Sequence, residues 1–554
     1  MRFSHLFAAA AAAIILSGCI GENSEVGASF IDDGQSYDTY VYEFPLEEIS
    51  LQMADSLSGY SYTRVVIGSI CDPIYGVTRR ESAFTLLPAL DTLDFGKDPV
   101  PVKMDMHLAL DTVSVADESQ KRILQNVYAY ELTDSLRRKR TGTGNTIPRS
   151  DVRISEGIPV INGSDSLSIV FTEEFAAKYI KAIQDMAGSD GIFRGGSEGA
   201  TIRDFMAKLP GILVKTDDPV GDGGRINLFS ISCLSVSSGY YYRNRNEALL
   251  TINAEYDGVR KDTTFLLLPG EMEWVNENTY ISDNDKFYQY AFNSTIHSTK
   301  PMTGLISEHD NKIYVEGGGG LKPVISAAEI RRKLSEKVSA LGRDPEDIII
   351  NKASLILPFE APEYTRFDVF PSILSPTCML ENTNGSFTFA GLTDASISTE
   401  NQGDLNRSTC VYAPDISFHV QEILKLTNEE KLPSYDVWLL NVHSETETNA
   451  SGSIYDSDYY RQLMYASYYN SLYGDGYGYG GYGYGYGGYG YNSYSNYYSY
   501  MMLAQMYANS SSSSDYTTTT ELDKDRYYQA VLNGVSEDLL ASPRLKVILS
   551  VPKR

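Results

Sequence analysis

Large apolar residues occupy every second position from 102 to 110 of this chain, between Lys103, Asp105, His107 and Ala109. The apolar set is Val102, Met104, Met106, Leu108 and Leu110. A period of two sends successive side chains to opposite faces of a strand, so one face is buried and the other is solvated. Similar short runs recur along the chain between turns rich in Gly, Pro, Asp and Ser. The pattern predicts a fold built mainly from β-strands.

A few helices are predicted among the strands. Thr172 can cap a helix in which Phe175, Tyr179 and Ile183 share one face, because they are spaced four residues apart. Periodicity of this kind, embedded between strands, is typical of a β-rich protein with helices packed on one side. The helix is expected to end before Gly188.

A second helix is predicted after a capping box, Ser-x-x-Glu, formed by Ser326 and Glu329, and Gly342 is placed to end it. The predicted fold class is therefore mainly β with some α, an α+β protein. We expect an N-terminal jelly-roll-like β-sandwich, followed by one or two further β-rich domains with short helices.

The chain is long enough, at 554 residues, for about three domains of ordinary size. Composition shifts place the predicted boundaries. They are a signal peptide at 1–18, a flexible tether at 19–39, a β-sandwich domain at 40–150, an α+β domain at 151–300, a C-terminal β-rich domain at 301–452 plus 522–554, and a Tyr/Gly/Ser-rich disordered insertion at 453–521.

A short secretory signal opens the chain. Arg2 supplies a positive start, and an apolar run of about ten residues follows, too short to span a bilayer of roughly 30 Å. The run ends in a lipobox, Leu16, Ser17 and Gly18 before Cys19. This motif predicts cleavage before Cys19 and acylation of that cysteine. The acyl chains would hold the protein on a membrane, because each buried CH₂ contributes ~0.8 kcal/mol to membrane binding.

The charge balance is strongly acidic. There are 72 acidic and 46 basic residues, a net charge of −26. Nucleic-acid binding needs basic patches, so we expect no nucleic-acid partner. No second apolar run of transmembrane length follows Cys19. The body of the protein is therefore expected to be anchored to a membrane rather than threaded through it.

Four cysteines remain after Cys19, and they allow three pairings. Cys378 and Cys410 are nearest in sequence and are the predicted bridge, since export permits disulfides. The alternative, four separate free thiols, stays open. No CxxC pair and no Cys/His pair at metal spacing occurs.

Catalytic and cofactor motifs are weak. The histidines are scattered, and neither GxSxG nor HExxH occurs. The run Glu316-Gly-Gly-Gly-Gly-Leu-Lys322 resembles a phosphate loop only faintly, and a tight turn with positive φ is the better interpretation. The acidic runs at 217–222 and 283–285 are interpreted as polar turns rather than calcium sites. We expect no catalytic residue, no metal site and no cofactor.

The core of the predicted insertion, positions 474–491, consists almost entirely of Tyr and Gly. Twenty of the 42 tyrosines lie between Tyr455 and Tyr516. A tolerated low-complexity expansion is the favoured interpretation. The alternative is an adhesive surface loop, because tyrosine provides amphipathic contact area.

Two sets of short motifs resemble signals of exported Bacteroidota proteins. Glu22 and Glu25, just after the lipid cysteine, resemble a surface-export signal. Five tripeptides of the form Asp-Ser/Thr-apolar resemble the O-glycosylation motif of these proteins. The hydroxyl residues concerned are Ser56, Thr92, Thr112, Ser135 and Ser166.

The order of features also resembles a family of Bacteroidota lipoproteins known only by a domain of unknown function. The matching segments are the lipobox, 25–27, 68–69, 72–76, 127–136, 351–355 and 545–551. The resemblance implies a lipoprotein of the outer membrane or cell surface, and it transfers no catalytic residue. The first block is also similar to the jelly-roll modules found beside surface adhesins and glycan enzymes.

The function expected from these features is a non-catalytic lipoprotein, lipid-anchored in the outer membrane and potentially exposed at the cell surface, with a binding or envelope-assembly role. Its expected partners are the membrane, through the N-terminal lipid, and envelope proteins. The alternative is a glycan-binding accessory to a polysaccharide uptake system, whose mark would be a groove lined with Tyr or Trp.

Overall fold

The computed structural model describes residues 37–54, 57, 59–61, 63–88, 93–134, 146–185, 208, 211–232, 234–237, 240–243, 245–272, 287–288, 291–297, 302–362, 369–381, 387–396, 401–448 and 516–553. Strands dominate, and the prediction of a mainly β fold with some helix is confirmed. The jelly-roll order of strands stays a prediction. No helix in these residues is both long enough and apolar enough to cross a bilayer.

The strands are numbered in chain order. They are β1 Tyr37–Pro45, β2 Ile49–Met53, β3 Tyr60–Ser61, β4 Arg64–Asp72, β5 Gly76–Pro88, β6 Lys97–Leu108, β7 Leu110–Val115, β8 Gln125–Leu132, β9 Arg149–Arg153, β10 Val160–Ile161, β11 Leu167–Val170, β12 Gly211–Thr216, β13 Gly223–Ser230, β14 Leu234–Ser237, β15 Tyr240–Arg243, β16 Glu247–Tyr256, β17 Val259–Met272, β18 Phe287–Tyr288, β19 Ala291–His297, β20 Gly304–Leu305, β21 Lys312–Glu316, β22 Leu321–Ile325, β23 Ile349–Pro358, β24 Leu374–Glu381, β25 Phe387–Gly391, β26 Leu405–Asn406, β27 Val411–Tyr412, β28 Val437–Thr448, β29 Tyr516–Leu522, β30 Gln529–Asn533 and β31 Arg544–Pro552.

Helices accompany the strands in the described part of the chain. The α-helices are α1 Glu173–Gln184, α2 Ala327–Ala340 and α3 Ser417–Lys425. Short 3₁₀ helices lie at Glu118–Arg122, Ile306–Glu308, Pro345–Asp347, Thr393–Ser396, Glu429–Tyr435 and Leu539–Ala541.

Residues 60–297 form a first body, built on a fifteen-stranded sheet. The long strand β5 organises it, because β4 and β19 flank its first half while β12 and β17 flank its C-terminal end. Side chains from both halves meet in one core, which includes Val65, Phe84, Phe229 and Leu250.

Helix α1 covers part of this core, as its sequence pattern predicts. The Thr172 hydroxyl accepts a hydrogen bond from the N–H of Phe175 (3.3 Å) and caps the first turn. Phe175, Tyr179 and Ile183 are all buried. The Tyr179 hydroxyl donates to the Leu86 carbonyl of β5, which fixes the helix against the sheet.

The second body contains residues 37–53 and 302–553. Its two larger sheets have the orders β1-β31-β23-β27-β26 and β20-β2-β22-β28-β24-β25, and β29 pairs with β28. β21 and β30 pair antiparallel in a separate two-stranded sheet. Helices α2 and α3 pack together, and their apolar faces contribute to one core with most of these strands.

Two predicted domain boundaries differ from this arrangement. The predicted domains 40–150 and 151–300 lie in one body, because β8 pairs with β12 and β6 pairs with β16 across residue 150. The strands β1 and β2 belong to the other body: β1 pairs with β31 over nine residues, from Tyr37–Pro552 to Pro45–Arg544. Pairing partners hundreds of residues away are not visible as composition shifts along the chain.

The predicted disordered insertion, 453–521, also extends too far towards the C-terminus. Residues 516–521 form most of β29, which pairs with β28 from Thr448–Tyr516 to Val442–Leu522. Threonine is β-branched and favours strands, so the Thr517–Thr520 run extends an existing sheet. Residues 453–515 of that prediction lie outside the described residues, as do the predicted signal peptide and Cys19.

Helix α2 connects the N-terminal strands β1 and β2 to the rest of the second body. Ser326 accepts from the N–H of Glu329 (3.2 Å), which is half of the predicted capping box. The Glu329 carboxylate instead accepts from the N–H groups of Glu47 and Glu48, both at 2.8 Å, and pairs with Lys333 at 3.0 Å. It is fully buried. Glu329 therefore holds the β1–β2 turn on the helix.

Replacing Glu329 with Ala leaves two N–H groups and Lys333 without this acceptor. We expect the free energy of unfolding to fall by about 3 kcal/mol, because the lost carboxylate compensates buried donors and a charge. Urea unfolding of the purified protein measures the loss. The control is Glu336→Ala on the same helix, where the carboxylate is 65% exposed and 3.7 Å from Arg332. The control should lose less than about 0.5 kcal/mol; equal losses would contradict the role of Glu329.

Candidate functional site

The two bodies meet where the β4–β5 turn approaches the strands β21 and β30. The Tyr75 hydroxyl of the first body lies 3.0 Å from the Val315 carbonyl and 2.9 Å from the Ala530 carbonyl of the second body. Tyr75 is 7% exposed. The contact therefore buries a polar group of one body against two backbone carbonyls of the other.

The Gly-rich turn between β21 and β22 lies at this junction. Gly318 has φ +58°, which confirms the predicted turn with positive φ. Gly320 N–H donates to the Gly317 carbonyl (3.1 Å), and Gly317 N–H donates to the Tyr528 carbonyl (2.8 Å). A Cβ on Gly318 would lie 2.1 Å from Nη2 of Arg80, so the turn needs glycine for space as well as for φ.

Lys322 binds the turn that precedes it. Its ammonium donates to the carbonyls of Glu316, Gly318 (3.0 Å) and Gly320 (3.4 Å). The side chain is 1% exposed. Burial lowers the pKa of Lys322 to about 7, although the nearby Glu316 opposes the shift. In a phosphate loop the corresponding lysine would bind a ligand. Lys322 instead donates its hydrogen bonds to backbone carbonyls of its own turn.

Glu316 joins the turn to the first body. Its Oε1 accepts from the Thr78 hydroxyl (2.8 Å) and lies 3.4 Å from Nδ1 of His297. Its Oε2 accepts from the Leu321 N–H (3.4 Å). Burial lowers the pKa of His297 despite the carboxylate beside it, so its ring is neutral near pH 7.

Further buried charges surround this carboxylate. Arg80 is 2% exposed, and burial lowers its pKa while Glu316, Asp525 and Asp523 oppose the shift. Burial raises the pKa of Asp525, which accepts from the Ser61 hydroxyl and the Asn293 amide at 3.4 Å. We refer to the buried charges at the junction, those of Arg80, Glu316, Lys322, Asp523 and Asp525, as the junction charge cluster.

Asp523 shapes the segment that follows it. Its Oδ2 accepts from Nη1 of Arg526 (2.8 Å) and from the Tyr528 hydroxyl (2.7 Å), and its Oδ1 accepts from the N–H groups of Asp525 and Arg526. Burial alone would raise the pKa of Asp523, but Arg526 and Tyr528 outweigh it and hold that pKa below its usual value. One carboxylate thus fixes two neighbouring side chains.

Beside this segment the two bodies enclose a cleft of about 440 Å³. Residues 113–118 of the first body form one wall, and residues 369–372 and 405–407 of the second body form another. The segment 526–528, held by Asp523, lines the cleft between them. The cleft therefore combines aromatic, aliphatic, hydroxyl, carboxylate and guanidinium groups from four separated parts of the chain.

The predicted disulfide is not formed. Cys378 and Cys410 are free thiols in the structure. The Cys378 sulfur faces Nε2 of His419 (3.9 Å), and the Cys410 thiol faces the Arg407 carbonyl (3.7 Å). Proximity in sequence does not bring them together, because Cys378 lies within β24 and Cys410 lies in the turn before β27. Burial raises the pKa of Cys378 to about 12.

The other sequence-predicted positions are dispersed. Thr112 lies half-buried in β7, and Ser166 lies half-buried just before β11. Ser56, Thr92 and Ser135 fall outside the described residues, as do Leu16, Ser17, Gly18 and Cys19. Neither of the two described hydroxyl residues lines the cleft.

The acidic turn near residue 217 binds protein groups. Asp218 pairs with Arg79 at 2.5 Å, and Asp217 accepts from the Asn126 amide (2.7 Å). Among the residues that the structure describes, no group of His, Cys, Asp or Glu side chains is arranged to hold a metal ion. Trp438 is buried against Phe389, with the rings 5.2 Å apart, so it belongs to the core.

Sequence reasoning missed Arg80, Asp523, Asp525 and Tyr528. The signal available was the dense run Asp523-Lys-Asp-Arg-Tyr-Tyr528 placed immediately before a strand. Scans of the chain against protein-family models, curated proteins and solved structures find no match.

The substitution Lys322→Met tests whether the lowered pKa of this buried lysine makes the free energy of unfolding depend on pH. Because the folded pKa of Lys322 is lowered to about 7, the unfolded chain binds one more proton between that pH and about 10.4. Wild-type stability should therefore rise with pH across this range, at up to about 1.4 kcal/mol per pH unit. Urea unfolding from pH 7.5 to 9.5 measures the slope. The Met variant should lose this component, whereas Lys337→Met on the exposed face of α2 should keep it; parallel slopes in all three proteins would contradict the assignment.

Gly318→Ala tests the contact with Arg80. Gly258, at the tip of the β16–β17 hairpin, is the matched control: its φ is +82° and a Cβ there would meet nothing within 4 Å. Gly258→Ala should cost about 1–2 kcal/mol for the left-handed backbone alone. Gly318→Ala should cost at least about 2 kcal/mol more, because the buried guanidinium must move. If thermal unfolding showed equal losses of stability in the two variants, the Arg80 side chain would be able to move away from residue 318 at little cost, which would contradict the prediction.

Proposed function

We propose that the chain is a non-catalytic lipoprotein of the outer membrane or cell surface, anchored by acyl chains on Cys19, with a binding or envelope-assembly role. The lipobox at 16–19 carries this proposal. Residues 20–36 separate Cys19 from β1, which pairs along its whole length with β31. The anchor is thus attached to a strand that the second body holds at nine positions.

The role in binding or assembly draws support from how the buried charges are used. Lys322 binds backbone carbonyls, Glu316 binds groups of both bodies, and Asp523 binds Arg526 and Tyr528. Glu316 joins the two bodies, Lys322 holds the turn that carries Glu316, and Asp523 holds one wall of the cleft. Two bodies joined in this way on a lipid anchor suit presentation of a surface to envelope proteins.

A second candidate is a glycan-binding accessory to a polysaccharide uptake system. The cleft at the junction favours it, because Phe370, Tyr527 and Tyr528 line a space that also contains hydroxyl and guanidinium groups. Ligand sites frequently occur between domains and combine apolar walls with a few polar groups in this way.

Cys19→Ala tests the anchor. The substitution removes the acylated thiol, so we expect the protein to leave the membrane fraction or to keep its first eighteen residues. Fractionation, detergent phase partitioning and mass spectrometry of the N-terminus measure this. Cys71→Ala, a half-buried thiol within the first body, is the control and should leave fractionation unchanged. A Cys19→Ala protein that stays membrane-bound and acylated would overturn the proposal.

A further inference from the structure

We propose that the cleft between the two bodies binds an uncharged saccharide segment, with Tyr528 and Phe370 as its apolar platform and Arg526 and Arg407 as its hydroxyl-binding groups. This inference rests on the glycan-binding candidate above and names its site and ligand class. The volume of about 440 Å³ falls within the range of about 300–1,000 Å³ that small-molecule sites occupy.

The apolar walls of the cleft suit the C–H face of a sugar ring. Phe370 is 8% exposed and Tyr528 is half-buried, so each has most of its ring held by the protein and presents a limited edge or face to the cleft. Val113 and Leu405 extend the apolar surface from opposite bodies. Rings that are already immobilised lose little side-chain entropy when a ligand packs on them.

The polar groups suit hydroxyls that both donate and accept. Arg526 donates N–H groups in a fixed orientation, because Asp523 binds its Nη1 (2.8 Å). Ser114 and Ser372 bring hydroxyls from the two bodies, and Glu118 brings an acceptor. Vicinal hydroxyls of a sugar match such a mixture of donors and acceptors better than a ligand with one kind of group.

Formal charge in and behind the cleft favours an uncharged ligand over an anion. The lining contains two guanidinium groups, Arg407 and Arg526, and one carboxylate, Glu118. The carboxylate of Asp523 lies directly behind and pairs with Arg526. Glu118 in turn pairs with Lys121 (2.9 Å). Two of the three charged groups that line the cleft are thus already neutralised by the protein, which leaves little positive charge for an acidic ligand to neutralise.

The shape of the cleft is set before a ligand arrives. Asp523 holds both Arg526 and Tyr528, and contacts of Tyr75 and Glu316 hold the two bodies together. Binding therefore does not need to order these groups, which is the condition for useful affinity in a small site.

The test is isothermal titration calorimetry on the detergent-solubilised full-length lipoprotein. The probes are cellohexaose, xylohexaose, mannohexaose and maltohexaose, with hexagalacturonate as the acidic comparison. We expect at least one neutral hexasaccharide to bind, and Arg407→Gln and Tyr528→Leu each to weaken that binding about tenfold or more, because each removes a direct contact. Arg407 is exposed on a loop, so its replacement should leave thermal unfolding unchanged even if Tyr528→Leu lowers it.

Matched controls separate the cleft from the rest of the surface. Arg332→Gln on α2 and Tyr256→Leu at the β16–β17 hairpin replace the same residue types away from the cleft and should keep wild-type affinity. Binding of hexagalacturonate alone, binding that survives both cleft variants, or no binding by any of the four neutral probes would each overturn the inference. None of these results changes the outcome expected for Cys19→Ala, so failure of the inference is distinguishable from failure of the anchor.

Discussion

The Glu316 carboxylate accepts hydrogen bonds from both bodies, and the relative position of the bodies depends on it. On one side it binds the Thr78 hydroxyl and lies beside the His297 ring; on the other it binds the Leu321 N–H of its own turn. A buried carboxylate is costly unless its acceptor positions are used. Separation of the bodies would leave these donors and the carboxylate to be hydrated again, so the closed junction is specified by polar groups as well as by apolar contact.

The cleft and the junction are formed by the same segment of the chain. The segment 523–530 leaves β29, carries Asp523 and Asp525 into the junction charge cluster, and then pairs as β30 with β21. Arg526 and Tyr528 lie on that segment, between the charges that hold the bodies and the strand that follows. The wall of the cleft and the junction charge cluster therefore depend on the same short segment, in which Asp523 holds Arg526 and Tyr528.

Local pattern explains how much of the fold was predictable from sequence. The buried period-two positions Met104, Met106 and Leu108 of β6, the cap and apolar face of α1, and the positive φ at Gly318 are properties of a few adjacent residues, and they agree with the structure. The ends of the same run do not, because Val102 is 55% exposed and Leu110 begins β7. Only the Ser326 half of the predicted α2 capping box forms, because the Glu329 carboxylate binds the β1–β2 turn. The pairing of β1 with β31 and the assembly of the cleft from four distant segments are not local. The same limit explains the incorrect Cys378–Cys410 bridge, because closeness along the chain does not bring the side chain of a strand residue next to that of a turn residue.

The antiparallel pairing of β1 with β31 also sets an order for folding during synthesis. Among the described strands β1 is the first to be synthesised and its partner is the last, about 500 residues later. Residues 60–297 are complete well before that and contain their own core. The first body can therefore reach its native contacts while synthesis continues, whereas the second body has a high contact order and closes only when the segment that forms β31 has been synthesised. A chain that is truncated before Arg544 would keep the complete first body and leave β1 exposed as an unpaired edge.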